Sequence, residues 1–296
     1  IEIRQPLVQF GENIRPIGSD LHAGDLLIPA GTRLGPAEIG LLASLGHAEV
    51  AVGRRPCIAV ISTGNELVAP GETPGPGQIR DSNRFSLVLA ARRAGADVLI
   101  NRHIRDEEDA LRSGLHDAMQ RCDMVITSGG VSMGDKDLVK LLLGELAQVH
   151  FRRIFMKPGK PLTFASALSP QPPALVFGLP GNPVSALVCF HVFVRPALQV
   201  MQMADIDPHP TVPVIVDHDV QASDRIEYQR AVVRVDRDGT LHASNTGSQS
   251  SARLMSFVGA NAFLIVHPQD EPYPAGARME ALLVEPPTAG SDDDPR

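Results

Sequence analysis

The stretch Met124–Gly134, MVITSGGVSMG, followed by Asp135-Lys136-Asp137, decides the fold of this chain. It opens on an apolar run, Met124 to Thr127, which predicts a buried strand. Ser128-Gly129-Gly130 then predicts a tight turn, and the Leu- and Val-rich residues from about Asp137 predict a helix. A strand that enters a helix through a glycine turn directs several backbone N–H groups at one point, where the helix dipole favours negative charge. The stretch therefore predicts an anion-binding loop at a strand end.

Two further loops follow strand-like runs. Met156–Pro161, MKPGKP, holds Lys157 and Lys160 in a segment stiffened by prolines, and Gly178–Pro183, GLPGNP, precedes a second helix. Ligands of open α/β sheets bind at strand-end loops of this kind, and restrained lysines suit a phosphate or another oxyanion. Taken alone, the glycine turn is also compatible with a plain connection, Lys157 and Lys160 with surface lysines, and Gly178–Pro183 with a helix cap.

Strand and helix patterns alternate from Cys57 onward, which predicts a three-layer α/β domain with a mostly parallel sheet. After Pro208-His209-Pro210 the helical periodicity ends and strand-like segments follow, which predicts an all-β sandwich or barrel. The predicted organisation is the end of a truncated N-terminal domain over 1–18, a β/loop and short-helix segment over 19–55, the α/β domain over 56–205, the β domain over 206–286, and a disordered acidic tail over 287–296.

Helix-end signals predict two boundaries inside the α/β domain. Asp106 and Asp109 have the spacing of a capping box for a helix over Glu107–Arg121. Asn182 and Pro183 suit the N-cap and first position of one long helix over Pro183–Met203.

Composition and charge limit the partners and the compartment that the sequence supports. The 296 residues carry a net charge of −7, which argues against a nucleic-acid partner, although Arg152, Arg153, Lys157 and Lys160 supply a local positive field. The three cysteines lie apart in apolar runs and predict free thiols in a reducing cytoplasm. No uninterrupted apolar run approaches the ~18 residues of a membrane span. The chain begins with Ile1 and without a signal peptide, and we expect it to be cut from a longer protein.

Acidic residues follow several predicted strands. Glu66, Asp106 and Asp137 should therefore meet at the carboxyl edge of the sheet. Clustered carboxylates beside a phosphate-binding loop commonly hold Mg²⁺. The alternatives are a helix cap for Asp106 and a solvated turn for Asp81. Sequence motifs of zinc sites, serine hydrolases, P-loops and dinucleotide-binding folds are absent.

Five motifs follow one another along the chain: Thr63–Leu67, Gly77–Arg84, Ser128–Asp137, Met156–Pro161 and Gly178–Pro183. In this order they resemble the molybdopterin molybdenumtransferase (MoeA) family, which includes the E domain of gephyrin. The resemblance covers almost the whole chain, and the glycine turn is shared with the single-domain MogA and MoaB relatives. It implies a MogA/MoaB-like molybdopterin-binding domain, a C-terminal barrel-like β domain and an N-terminal β/loop segment.

The resemblance implies insertion of molybdate into adenylylated molybdopterin, with Mg²⁺-dependent release of AMP. The implied catalytic positions are Asp20, Glu66, Asp106, Asp137 and Lys157, of which Glu66, Asp106 and Asp137 hold the metal. The implied molybdopterin- and phosphate-binding positions are Thr63, Gly64, Ser128, Gly129, Gly130, Ser132, Gly134, Arg153, Lys160, Pro180, Gly181, Asn182 and Pro183. Arg230 and Ser251 match positions that act across a dimer. Asn65 departs from the family, which usually has Asp there.

The resemblance also implies a cytoplasmic homodimer that contacts a MogA-like adenylyltransferase. It implies neither a nucleic-acid nor a membrane partner. Three alternatives stay open: a molybdopterin-binding protein without turnover, a gephyrin-like scaffold, and a MogA-like adenylyltransferase. The sequence does not distinguish molybdate from tungstate.

Overall fold

The structure, a computed structural model, describes residues 10–129, 138–205 and 210–289. The chain divides into two units, Ile1–Ala51 and Val52–Arg296. In the described part of the first unit, a series of turns leads into α1 (Pro36–Ser44), with Pro36 at its first position.

Strands and helices alternate along the first part of the second unit. Its strands are β1 (Cys57–Thr63), β2 (Leu67–Val68), β3 (Ile79–Arg80), β4 (Asp97–Ile104), β5 (Met124–Ser128), β6 (Ala147–Phe151), β7 (Met156–Lys157), β8 (Thr163–Ala167) and β9 (Leu175–Leu179). Its helices are α2 (Asn83–Arg93), α3 (Glu108–Arg121), α4 (Leu138–Leu146), α5 (Pro183–Cys189) and α6 (Arg195–Met201), with a π-helical turn over Phe190–Val194 between the last two.

Six of these strands form one sheet in the order β4-β1-β5-β9-β8-β6. The first four are parallel, and β8 runs antiparallel to both of its neighbours. The strands β1 and β5 are buried along almost their whole length. Helices α2, α5 and α6 cover one face of the sheet, while α3 and α4 cover the other. The helices on both faces of the sheet confirm the predicted three-layer α/β domain. A strand that is covered on both faces needs a continuous apolar sequence, as β1 and β5 have.

The helix predicted as continuous from Pro183 differs in the structure, because a wider π-helical turn interrupts it. Pro196 follows this turn. Proline has no backbone N–H, and its ring clashes with the carbonyl four residues earlier in a regular helix. A π turn in the preceding residues accommodates that ring, which accounts for the interruption.

The same helical stretch, Pro183–Met201, is long and apolar enough to cross a membrane. Protein covers it on two sides. Ala186, Phe190 and Leu198 pack against the sheet, whereas Val184 and Val188 pack against residues of the C-terminal domain. These contacts are those of a core helix between two layers of protein.

The last part of the chain forms the predicted β domain. Its strands are β10 (Thr211–Val216), β11 (Ile226–Val235), β12 (Leu241–Asn245), β13 (Ala262–Val266), β14 (Arg278–Leu283) and β15 (Thr288–Ala289). The order β12-β10-β14-β13-β11, with β11 also paired to β12, closes a barrel around an apolar core. β15 pairs with β11, so Thr288 and Ala289 are ordered here, in contrast to the disordered tail expected from 287.

The short strand β7 joins the α/β domain to the barrel. It pairs with the beginning of β11, with Met156 opposite Ile226 and Lys157 opposite Glu227. Around Met156, the apolar side chains of α5 pack against Phe263 and Leu282 of the barrel. The segment that carries Lys157 is therefore fixed to both domains.

His191 lies at this junction, in the π-helical turn. Its ring contacts those of Phe190 and Phe263 edge-on, at centroid distances of 5.6 and 5.7 Å. Burial, followed by the nearby charges of Arg195 and Arg93, lowers the pKa of His191 from 6.5 to about 4. The folded protein therefore holds this imidazole neutral.

We expect the free energy of unfolding of His191→Phe to fall less steeply than that of the wild type as the pH becomes acidic. Because the folded pKa lies below the unfolded one, the unfolded chain alone binds the proton between about pH 6.5 and pH 4. The free energy of unfolding is complete above this window and falls by roughly 3 kcal/mol as the pH falls through it. Urea unfolding of both proteins at several pH values measures the difference. Replacing the exposed His116 by Gln is the control, and an unchanged slope in His191→Phe would refute the assignment.

Candidate active site

The sheet topology brings the predicted site loops to one edge. β1, β4, β5 and β9 are parallel, so the segments that follow them leave at the same edge. Thr163 of β8 pairs with Gly178 of β9, so the lysine loop Met156–Pro161 enters the sheet at that edge. β6 runs antiparallel to β8, and Arg152 and Arg153 therefore follow it at the same edge. The segments that follow β1, β4, β5 and β9, together with residues 152–161, are named the edge loops.

Glycine lets the central edge loops approach one another closely. Gly129 has φ +90°, and a Cβ on it would lie 2.5 Å from the carbonyl oxygen of Thr63. Its N–H donates to the carbonyl of Leu179 (3.3 Å), and its Cα lies 3.8 Å from where a Cβ of Gly181 would be. The ends of β1, β5 and β9 thus pack backbone against backbone. Gly130, Ser132, Gly134, Asp135 and Asp137 lie outside the described residues.

Asn83 ties two of these loops together from the first turn of α2. Its side-chain amide donates to the hydroxyl of Ser128 (2.8 Å) and to the carbonyl of Gly181 (2.7 Å). Asn83 lies in the motif Gly77–Arg84, but no local pattern indicates its role, because both of its partners are distant in sequence.

Asp81 is a buried anchor, and the solvated turn considered for it is wrong. It is 3% exposed. One of its oxygens accepts hydrogen bonds from the hydroxyl of Ser62 (2.6 Å) and from Nε of Arg84 (2.8 Å). Arg84 also donates to Asn101 of β4 (3.0 Å). This network fixes the start of α2, and hence Asn83, against β1 and β4.

Glu66 and Asp106 form an acidic corner at the ends of β1 and β4. The backbone N–H of Asp106 donates to the side chain of Asn65 (3.1 Å). Partial burial, and then the charge of Glu66, raise the pKa of Asp106 above its usual range. Two carboxylates that repel each other at a surface suit a divalent cation. Among the described residues no three potential ligands gather, and the third predicted ligand, Asp137, lies outside them.

The capping box predicted for Asp106 and Asp109 is wrong. Helix α3 begins at Glu108, after Glu107, and no side chain caps it. Since Asp106 does not cap the helix, its carboxylate is left beside Glu66. A cavity of about 300 Å³ opens next to this corner, with Asn65, Arg84, His103 and Arg105 in its wall.

The lysine loop is held by tight backbone packing. Gly159 has φ +109°, and a Cβ on it would lie 2.5 Å from Sγ of Cys189 in α5. The carbonyl of Lys160 accepts from the N–H of Ile154 (3.0 Å). Nζ of Lys157, whose side chain is half-exposed, lies 3.2 Å from the buried Glu227 carboxylate. Arg153 and Lys160 are also exposed.

Arg230 and Ser251, expected to act across a dimer, make their contacts within the chain. Arg230 is fully buried and donates to the hydroxyl of Ser256 (3.1 Å), and burial lowers its pKa to about 10. The Ser251 hydroxyl accepts from the Asn182 side chain (3.1 Å), and its carbonyl accepts from the N–H of Val184 (3.2 Å). Ser251 therefore supports the Gly178–Pro183 loop of its own chain. An action across a dimer stays a prediction.

Asp20 belongs to the first unit. Its carboxylate is exposed and forms an ion pair with Arg15 (3.2 Å).

Three family descriptions match successive parts of the chain. "Probable molybdopterin binding domain" matches residues 59–200, "MoeA C-terminal region (domain IV)" matches 220–284, and "MoeA N-terminal region (domain I and II)" matches 1–46. These three matches cover the α/β domain, the barrel and the N-terminal segment, respectively.

Relatives are similar over most of the chain. A molybdopterin molybdenumtransferase from Haemophilus influenzae is 36% identical, over 93% of this chain and 67% of its own length. Gephyrin from Dictyostelium discoideum is also 36% identical, over 93% of this chain and 43% of its own. A solved molybdopterin biosynthesis MoeA protein from Pyrococcus horikosii has a TM-score of 0.76 and 30% identity, with 90% of this chain and 64% of that one covered.

The chain thus spans between 43% and 67% of the length of these relatives. Across that span the identity, the order of the domains and the fold agree. The chain belongs to the molybdopterin molybdenumtransferase family.

Proposed function

We propose that this chain inserts molybdate into adenylylated molybdopterin, with Mg²⁺-dependent release of AMP. The observation that carries the proposal is the convergence of the edge loops, with cations on one side and an acidic corner on the other. Relatives named for molybdenum transfer to molybdopterin support the assignment.

Electrostatics explains the cationic side. Molybdate and the dithiolene of molybdopterin are both dianions, and bringing them together costs several kcal/mol unless positive groups offset the repulsion. Arg153, Lys157 and Lys160 lie on the edge loops and are exposed. They would provide that offset where the two anions meet. No covalent nucleophile is needed, since the protein positions the reactants and stabilises developing charge.

The middle of the edge would hold the phosphate. The N–H of Gly129 is already bonded to the carbonyl of Leu179, so the phosphate would bind backbone amides later in the glycine-rich sequence. We propose Gly130, Ser132 and Gly134 for this role. Thr63, Gly64, Pro180 and Pro183 would form the walls, and the cavity beside the acidic corner would take the adenylate end.

The acidic side would hold Mg²⁺. Glu66 and Asp106 offer carboxylate oxygens, the ligands that Mg²⁺ prefers, and their mutual repulsion would fall when a cation binds. We propose Asp137 as the third ligand. Bound there, the ion would neutralise charge on the phosphoanhydride that is cleaved.

We expect Asp106→Asn to raise the Mg²⁺ concentration for half-maximal AMP release at least tenfold, because one ligand charge is lost while the backbone bond to Asn65 is kept. Asp97→Asn is the control, since Asp97 is an exposed acid at the opposite end of the same strand. An unchanged Mg²⁺ dependence in Asp106→Asn would remove this residue from the metal site.

The decisive experiment measures AMP release from adenylylated molybdopterin, with molybdate and Mg²⁺ added to the purified protein. Release is expected, and Asp137→Ala should keep the fold yet abolish it. Substrate binding without AMP release would indicate a molybdopterin-binding protein or a scaffold. Consumption of ATP to adenylylate molybdopterin would indicate a MogA-like adenylyltransferase.

We further propose a cytoplasmic homodimer that contacts a MogA-like adenylyltransferase. The three free cysteines suit a reducing compartment. Light scattering of the purified protein should give twice the mass of the polypeptide, and a mass equal to one chain would contradict the homodimer.

A further inference from the structure

A second cavity, of about 270 Å³, opens where β7 meets the end of the barrel. Lys157 forms one side of it, and the remaining residues of its wall come from the barrel. The wall is rich in amides and contains one buried carboxylate. The barrel residues of the wall that matter here are His218, Gln221, Glu227, Gln229, Asn245 and Gln249.

Glu227 is the exceptional group in this cavity. Its side chain is 4% exposed, yet its ion-pair partner, Lys157, is 53% exposed. Lys157 contacts one carboxylate oxygen, Oε2, and across the described residues no other side chain donates to this carboxylate. A buried carboxylate is costly unless further donors satisfy it. The second oxygen is thus suited to a donor from a ligand.

The surrounding groups define the chemistry of that ligand. Gln229 is 7% exposed and donates to the carbonyl of Gln221 (3.0 Å), while Gln249 is bonded to both backbone groups of Arg230. Within the described part of the chain, Nδ1 of His218 is buried without a hydrogen-bond partner. A carboxylate flanked by amides fits a flat heterocycle with two adjacent N–H donors and a neighbouring acceptor.

We propose that this cavity binds the 2-amino-4-oxo edge of the pterin ring, with Glu227 accepting from the 2-amino group and the adjacent ring N–H. The inference rests on the proposed function and assigns the ring to a subsite between the lysine loop and the barrel. Pterin binding replaces Lys157 as the partner of Glu227. The freed ammonium group of Lys157 then faces the anionic end of the substrate. Binding of the ring thus makes a positive charge available to neutralise that end.

The test compares a pterin with its 2-oxo analogue, a lumazine, in fluorescence titrations of the intact protein. The wild type should bind 6-hydroxymethylpterin at least tenfold more tightly than 6-hydroxymethyllumazine, which lacks the 2-amino donor. Glu227→Gln should lose that preference, since an amide presents only one acceptor oxygen. Glu280→Gln, an exposed acid on β14, is the matched control and should keep it.

Molybdate binding separates recognition from structural damage. Glu227→Gln frees Lys157, so molybdate affinity should be kept or increased while pterin affinity falls. Loss of both affinities together, or a wild type that does not distinguish the two heterocycles, would overturn the proposal. A Glu227-dependent pterin preference in a protein that releases no AMP would keep this site and refute the proposed function. AMP release by a protein that lacks this preference would support the proposed function and refute the pterin site.

Discussion

Gly129→Ala is expected to reduce AMP release at least a hundredfold. The added methyl would lie 2.5 Å from the carbonyl oxygen of Thr63, which is a backbone atom at the buried end of β1. Neither β1 nor β5 can move away, because both are packed between two helical layers. The turn must therefore shift, and a displacement of about 1 Å at a positioning loop costs roughly a hundredfold in rate.

Gly239→Ala separates the clash from the backbone strain. Gly239 has φ +85°, close to the +90° of Gly129, but a Cβ on it would meet nothing within 4 Å. Both variants should lose about 1 kcal/mol of stability from the left-handed conformation. Only Gly129→Ala should lose activity, which steady-state AMP release measures. If the two variants were equally active, the close approach of the edge loops would have no part in turnover.

Asp81→Ala is expected to destabilise the protein by about 3–5 kcal/mol, because removing one partner of a buried ion pair leaves the other uncompensated. The charge left behind is that of Arg84, whose side chain is 14% exposed. The hydroxyl of Ser62, 1% exposed, would also lose its partner. Urea unfolding at neutral pH measures this loss.

Two further variants show which part of the network matters. Ser62→Ala removes one neutral donor and should cost about 1 kcal/mol. Asp81→Asn keeps the shape but removes the charge, so it should fall between the other two variants. Asn83 begins the helix that Asp81 anchors, so Asp81→Ala should also weaken substrate binding. A stability loss in Asp81→Ala no larger than that in Ser62→Ala would contradict the buried ion pair.

The sequence predicted the layers of the fold because the relevant signals are local. The continuous apolar runs of β1 and β5 are what a sheet covered on both faces requires, and the helical patterns between them fix the alternation. The sequence predicted an all-β sandwich or barrel because strand-like segments separated by turns follow Pro210, and the pairing of β11 with β12 shows that the domain is a barrel. The π turn before Pro196 was missed, since a proline in a helix indicates a distortion without indicating its form.

The parts of the site that depend on distant pairs could not be predicted. Asp81 lies in a Gly- and Pro-rich segment typical of a solvated turn, and only the folded chain brings Ser62 and Arg84 to it. The pairing of β7 with β11 involves two residues and joins segments about seventy residues apart, so no local pattern indicates it. The same holds for the bond between Asn182 and Ser251.

The acidic corner is an intermediate case. That Glu66 and Asp106 would be near each other followed from their position after two parallel strands, because such strands end at one edge. Which role Asp106 plays did not follow, since Asp also caps helices. The start of α3 at Glu108 decides against the cap.

A crystal structure of the protein with adenylylated molybdopterin bound would show whether the edge loops form one binding site. We expect one continuous ligand that contacts the residues after Ser128, the Gly178–Pro183 loop and the lysine loop together. A ligand bound to only one of these loops, or to a surface away from this edge of the sheet, would contradict it.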